Sequence, residues 1–208
     1  NLEILTPDQL LKMAVILQKV VGFARGLRFY PDFSGVARSH NFYPIAPMTT
    51  EDGIAAVALG LGEMVVDGGA CIRFCPRYPQ HLVQFSSVKG ILQNSQRDFY
   101  ALELDGGDEE ASGPARAMVP RRFGLEAAEA DGTLSPLAST YSPENDAVYD
   151  GLSRQGVRLV SFAPILKHSV FPLAGILDLL LQIGKEGTSA PVEIEFAVNL
   201  ATPPGAPK

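Results

Sequence analysis

Nine residues near the C-terminus, Pro191-Val192-Glu193-Ile194-Glu195-Phe196-Ala197-Val198-Asn199, constrain this chain more than any other stretch. Side chains alternate across a strand with period two, so Val192, Ile194, Phe196 and Val198 share one face while Glu193, Glu195 and Asn199 fall on the other. The apolar face packs on a core, and the polar face then carries two carboxylates about 7 Å apart. Two acidic oxygen donors on a rigid element suit a hard divalent cation such as Mg²⁺, with nucleotide phosphates as its remaining ligands. The alternative is a half-exposed strand with a merely solvated acidic face, a common arrangement in one-sided sheets.

The rest of the chain is short strand signals broken by Gly and Pro. Thr6-Pro7-Asp8 opens a short helix, with Thr6 as its cap and Pro7 at the first helical position. Ala14 to Val21 is apolar and β-branched around Gln18 and reads as a buried strand. Phe33 to Asn41 and Gly53 to Gly60 read as strands, the second running through Gly60-Leu61-Gly62-Glu63 into a short helix ending at Val66. Cys71 to Phe74, His81 to Phe85 and Phe99 to Leu104 read as further strands, with Ser86 to Gln96 as helix or turn. Asp105 to Arg116 is Gly- and acid-rich and reads as an exposed loop. Strand-like runs follow over Pro120 to Leu134 and Ala147 to Pro164. Pro172 starts the one long amphipathic helix, with Leu173, Ile176, Leu177, Leu180 and Ile183 on one face and Gly184 or Gly187 at its end. Many strands with few, short helices imply an α+β class with a mixed or antiparallel sheet.

Several function classes drop out on composition. A net charge of −6 across 208 residues, with no basic run longer than Arg121-Arg122, argues against a nucleic-acid surface. No apolar run is long enough to span a membrane, so no membrane partner is expected. Asn1-Leu2-Glu3 has no basic-then-apolar pattern of a secretory signal, and the missing Met implies an excised fragment. In strand geometry Cys71 and Cys75 lie about 13 Å apart, too far for a disulfide. They read as buried, reduced thiols of a cytoplasmic protein.

Few residues form a chemical constellation. Gly60-Leu61-Gly62-Glu63 follows a strand and opens a helix, where glycines permit tight turning and close backbone approach. It lacks the Gly-Lys-Ser/Thr of a P-loop, and Glu63 in a first helical turn is favoured by the helix dipole without any function. His40, His81 and His168 have neither triad nor metal spacing and read as surface or cap residues. Gln18, alone among apolar neighbours, is either a satisfied core amide or an amide at a cleft wall.

Four segments in order carry a resemblance. They are Val15-Ile16-Leu17-Gln18-Lys19-Val20-Val21, Ser34-Gly35-Val36-Ala37-Arg38-Ser39-His40-Asn41, Gly60-Leu61-Gly62-Glu63-Met64-Val65-Val66-Asp67-Gly68, and Pro191 to Val198. They resemble the nucleotide-binding domain of the phosphoenolpyruvate synthase and pyruvate phosphate dikinase family, an ATP-grasp fold, whose counterparts read VVVQRMV, SGVxFTxNP, GLGENVVxG and PxDIEWAV. The resemblance runs over residues 14–198, with little in common over 76–165, and the Phe42-Tyr43-Pro44 variant places the chain on a divergent branch. It implies a partial ATP-grasp domain over residues 1–200, a variable insertion at about 105–150, and a linker at 201–208.

The resemblance also implies chemistry. In the family, ATP lies between two lobes, and Mg²⁺ assists phosphoryl transfer to a histidine on a separate swivelling domain, which passes it to pyruvate. By position, Glu195 matches a metal and phosphate ligand, and Glu193 an Asp two residues earlier. Gln18 matches the glutamine leading to the adenine-binding linker, so Lys19 to Val21 would offer backbone contacts to the base. Ser39, Asn41 and Glu63 match further motif positions. Departures limit the expectation: the Gln-x-Arg strand after the acidic strand, the Gly-Gly-x-x-Ser-His swivel pattern and the lobe supplying a lysine and an arginine have no counterpart here. The expected function is therefore one wall of an Mg-ATP site, inactive alone, in a phosphotransferase that makes phosphoenolpyruvate from pyruvate. The alternatives are an inactive regulatory or interaction module, and a dikinase acting on another acceptor, as in glucan water dikinases and rifampin phosphotransferases.

Overall fold

A computed structural model describes residues 18–104 and 119–200, an α+β arrangement of antiparallel sheets with few helices. Strands β1 (Phe23–Arg25) and β2 (Arg28–Tyr30) form a hairpin, and β3 (Phe33–Arg38) follows. Next come β4 (Ile54–Leu59), helix α1 (Glu63–Val66), β5 (Ile72–Phe74), α2 (Val88–Asn94) and β6 (Asp98–Glu103). Beyond these lie β7 (Pro120–Gly124), α3 (Leu125–Ala130), β8 (Ala138–Ser142), β9 (Ala147–Asp150) and β10 (Val157–Val160). The described chain closes with α4 (Ala163–Leu166), α5 (Leu173–Thr188) and β11 (Glu193–Val198). Among the described residues these strands form three sheets, ordered β11-β3-β4-β5, β1-β2-β6-β7 and β10-β8-β9.

The sheet β11-β3-β4-β5 positions the site. Residues opposite one another in a ladder share a face. Phe33, Gly35 and Ala37 on β3 therefore point inward with Ala55, Val57 and Leu59 on β4, and with Ile194, Phe196 and Val198 on β11. All the apolar members of this set join one core, which α5 closes with Leu173, Leu177 and Leu181. Gly35 is required by packing: a Cβ there would stand 2.5 Å from both Phe196 Cζ and the Ala56 carbonyl.

Polar side chains tie the sheets together. Buried Asp32 accepts from Arg25 Nη2 at 2.7 Å and from the Leu200 amide at 2.6 Å, holding the far end of β11. Asp131 accepts a two-pronged bond from Arg28 and a third from the Tyr30 hydroxyl, holding the first hairpin to the end of α3. Gln96, 1% exposed, uses both ends of its amide on the Leu59 backbone, at 2.8 and 2.9 Å. Its own carbonyl accepts from Val160, so one residue links the end of β4 to β10.

The expected strands at residues 33–41, 53–60, 71–74, 99–104 and 191–199 are present, as are the short helix after Gly62 and the helix within 86–96. Others need correction. Residues 18–21 are not a buried strand: no strand among the described residues pairs with them, and Val20 and Val21 are 51% and 43% exposed. Apolar, β-branched character favours a strand only where a partner edge exists. His81 to Phe85 is not a strand either. Residues Val83–Phe85 form a 3₁₀ turn, and the Gln84 amide fills the β5 edge by accepting from Arg73 N and donating to Cys71 O. Within 120–134 the strand stops at Gly124, and Leu-Glu-Ala-Ala-Glu-Ala, rich in strong helix formers, makes α3. Strand β8 lies outside the strand-like runs expected at 120–134 and 147–164.

Helix α5 runs through both Gly184 and Gly187 to Thr188. Its buried stripe is Leu173-Leu177-Leu181, whereas Ile176, Leu180 and Ile183 face outward. Gly184 lies inside the helix, where Val192 packs over it with Cγ2 2.9 Å from where a Cβ would be. The helix expected at Thr6-Pro7-Asp8, residues 14–17, the loop at 105–116 and the tail at 201–208 lie outside the described residues.

Candidate functional site

The outer face of the β11-β3-β4-β5 sheet carries the residues that alternate with the core set: Ser34, Val36 and Arg38 on β3, Ala56 and Ala58 on β4, Arg73 on β5, and Glu193, Glu195 and Ala197 on β11. Helix α1 covers part of this face by packing Met64 against Ala58 and Cys71. Beside it opens a cleft of about 640 Å³. Its walls are residues 18–21, 34–36, 61–62 with 65–66, and 195–197, together with Pro31. A second cavity of about 290 Å³ shares Val36, Val65, Val66 and Glu195 with the first and is also lined by Arg38, Cys71, Arg73 and Glu193.

Four segments far apart in sequence thus meet at one concavity, and Gln18 and Glu195 both line it. Glu195 is exposed and makes no ion pair among the described residues; it borders both cavities. Glu193 lines only the second cavity, where it sits directly opposite Arg38 in the ladder and accepts from its Nε at 2.6 Å. That bond, with the attraction between the charges, raises the Arg38 pKa above its usual range. Glu63 does not line either cavity. Ser39 and Asn41 are buried and structurally engaged. The Ser39 hydroxyl accepts from Val192 N at 2.9 Å, and Asn41 Oδ1 accepts from Tyr43 N at 3.1 Å.

The two glycines of Gly60-Leu61-Gly62 do different jobs. Gly60 has φ +84°, and a Cβ there would stand 2.5 Å from the Tyr100 carbonyl, so the fold itself demands glycine. Gly62 has ordinary right-handed angles (φ −67°, ψ −13°), and nothing lies within 4 Å of its missing Cβ. Neither backbone conformation nor packing requires glycine at Gly62, which stands on the cleft wall. The turn is held by Leu61 N donating to Tyr100 O and by Val65 N and Val66 N donating to Gly62 O.

The donors fit a magnesium ion only in part. Among the described residues no three His, Cys, Asp or Glu side chains cluster. Mg²⁺ usually takes one or two protein carboxylates and completes its shell with water and phosphate, which Glu195 alone can satisfy while Glu193 is held by Arg38. Cys71 is buried, and desolvation pushes its thiol pKa up, which disfavours the reactive thiolate. Cys71 and Cys75 are both free thiols, as expected. His168 and Lys167 share Asp150 at 3.0 and 3.3 Å, and His40 packs edge-to-face against Phe42.

Sequence reading missed Arg38 and Arg73. The signal was present: each is the charged residue of an otherwise apolar or small alternating run, which sends it to the face opposite the core. Among the described residues no helix is long and apolar enough to cross a membrane. No family model, curated protein or solved structure matches this chain.

Proposed function

We propose that this chain is the ATP-binding wall of a phosphoenolpyruvate synthase-like dikinase. The observation that carries this reading is the convergence of all four motif segments on a single 640 Å³ cleft, within the size range of small-molecule sites. Among the described residues the segment 18–21 pairs with no strand, and its backbone groups would hydrogen-bond an adenine edge. Val36 and Ala197 give the sheet side of the cleft an apolar floor, and Gly62 leaves room for close approach. Glu195 is the residue that would hold Mg²⁺, which when bound neutralises phosphate charge in phosphoryl transfer.

The chain's own part in that chemistry is to bind and orient. The rigid sheet fixes Glu195 relative to the cleft floor, because β11 pairs with β3 along six consecutive residues. The phosphoryl acceptor is a histidine on a separate domain, which then delivers the group to pyruvate. Glu195→Gln tests the assignment in the full-length enzyme: phosphohistidine formation from labelled ATP is abolished while the thermal melt is unchanged. Wild-type labelling in that variant would falsify the role of Glu195.

One observation favours a second reading, a module that keeps the fold without catalysis. Glu193 is tied to Arg38, so the carboxylate pair expected on β11 is reduced to one free member among the described residues. Nucleotide titration separates the two readings, since a lost site binds no ATP in the presence of Mg²⁺.

A further inference from the structure

The outer face of the sheet carries an ordered row of side chains. Glu195 pairs with Val36, Val36 with Ala56, and Ala56 with Arg73, so the row crosses all four strands. It begins with a carboxylate on one edge strand and ends with a guanidinium on the other; the two middle residues are small or apolar. Three strand spacings put the end residues about 14 Å apart at the backbone. That exceeds the Debye length of about 8 Å at physiological salt, so exposed charges at the two ends barely neutralise each other.

Arg73 is distinctive among the arginines of the described residues. Arg25, Arg28, Arg38, Arg77, Arg121, Arg122 and Arg158 all bond carboxylates. Arg97 donates to the Leu92 carbonyl, and Arg154 lies over the Tyr149 ring. Among the described residues the Arg73 guanidinium has no such partner, and it faces the second cavity. Arg38, the other guanidinium there, is occupied by Glu193. A planar fork with five donors, left without an acceptor beside a 290 Å³ cavity, is suited to phosphate.

We propose that Arg73 on β5 binds the phosphate tail of the nucleotide, which crosses the sheet from Glu195 along the Val36–Ala56 floor into the second cavity. The proposal rests on the nucleotide reading above and deepens it. It supplies, from this chain's own sheet, a cation for the phosphates. Arg73 then contacts the anion directly, and the purine end of the ligand stays in the larger cleft.

The test is calorimetric titration of wild type, Arg73→Ala and Arg73→Lys with Mg-ATP, Mg-ADP, adenosine and pyrophosphate. Arg73→Ala is expected to weaken ATP and ADP about tenfold or more, the scale of a lost charge-assisted hydrogen bond, and to move adenosine less than about twofold. Arg73→Lys keeps the charge without the fork and recovers part of the loss. Since the side chain bonds nothing among the described residues, melting temperatures of the variants match wild type. Unchanged ATP affinity in Arg73→Ala, or an equal loss for adenosine, overturns the proposal. If wild type binds pyrophosphate but not adenosine, and Arg73→Ala loses the pyrophosphate, the anion site stands and the nucleotide reading falls.

Discussion

Substituting Gly60 and Gly62 separately distinguishes a glycine kept for the fold from one kept for a ligand. Gly60→Ala forces a Cβ onto a left-handed residue, which costs about 1–2 kcal/mol. The same Cβ lies 2.5 Å from the Tyr100 carbonyl and 2.8 Å from the Phe99 ring. Relieving that overpacking costs about 1–3 kcal/mol more. A total of about 2–5 kcal/mol lowers the melting temperature by roughly 10 °C in a domain of this size. Gly62→Val meets neither obstacle, because its angles are right-handed and its surroundings open. Losing Gly at a helix cap costs up to about 1 kcal/mol, which lost chain freedom in the unfolded state offsets by about 0.4–1 kcal/mol. Its stability therefore stays within about 1 kcal/mol of wild type. In the cleft, however, the valine occupies space the nucleotide needs, and Mg-ATP affinity falls at least tenfold by roughly the rule that 1.4 kcal/mol is a decade. Differential scanning fluorimetry and ATP titration on both variants are the assays. If Gly62→Val binds ATP like wild type, or melts as low as Gly60→Ala, the division of labour argued from the geometry is wrong.

Two further outcomes concern the frame around the site. Gln96→Leu leaves the Leu59 amide and carbonyl buried without partners, so urea denaturation should show a loss of about 2–6 kcal/mol, and a loss under 1 kcal/mol would count against the amide's structural role. Asp131 gives an acid-side signature: burial alone would raise its pKa, but the Arg28 fork and the Tyr30 hydroxyl outweigh burial and hold it below the ordinary carboxylate range. A depressed folded pKa stabilises above the unfolded value of about 3.9 and is lost as pH falls through the folded one. Stability measured against pH should therefore drop below about pH 4 in wild type and drop less in Asp131→Asn, and parallel curves would remove Asp131 from the acid response.

Local pattern made much of the central sheet legible. The alternation in Pro191 to Asn199 identified β11 and both of its faces, since a strand allows only two directions for its side chains. Gly60-Leu61-Gly62 located the turn and the start of α1. Failures came where a partner elsewhere decides the outcome. Residues 18–21 have strand-like chemistry but pair with no strand among the described residues, and the β5 edge is taken by the Gln84 amide in place of a strand. Along α5, apolar residues lie on more than one side, and sequence could not choose which stripe the core would take.

By itself, then, the sequence determined the two faces of β11, and that two carboxylates share its outer one. Those are properties of one strand at a time. Tertiary structure decided what the carboxylates meet. Cross-strand register set Glu193 against Arg38 and left Glu195 unpaired among the described residues, and it aligned Glu195 in one row with Arg73. Register depends on the pairing of segments more than a hundred residues apart, as between Arg38 and Glu193. No local period in the sequence encodes that pairing, because it is the shared burial of the inner faces that selects it.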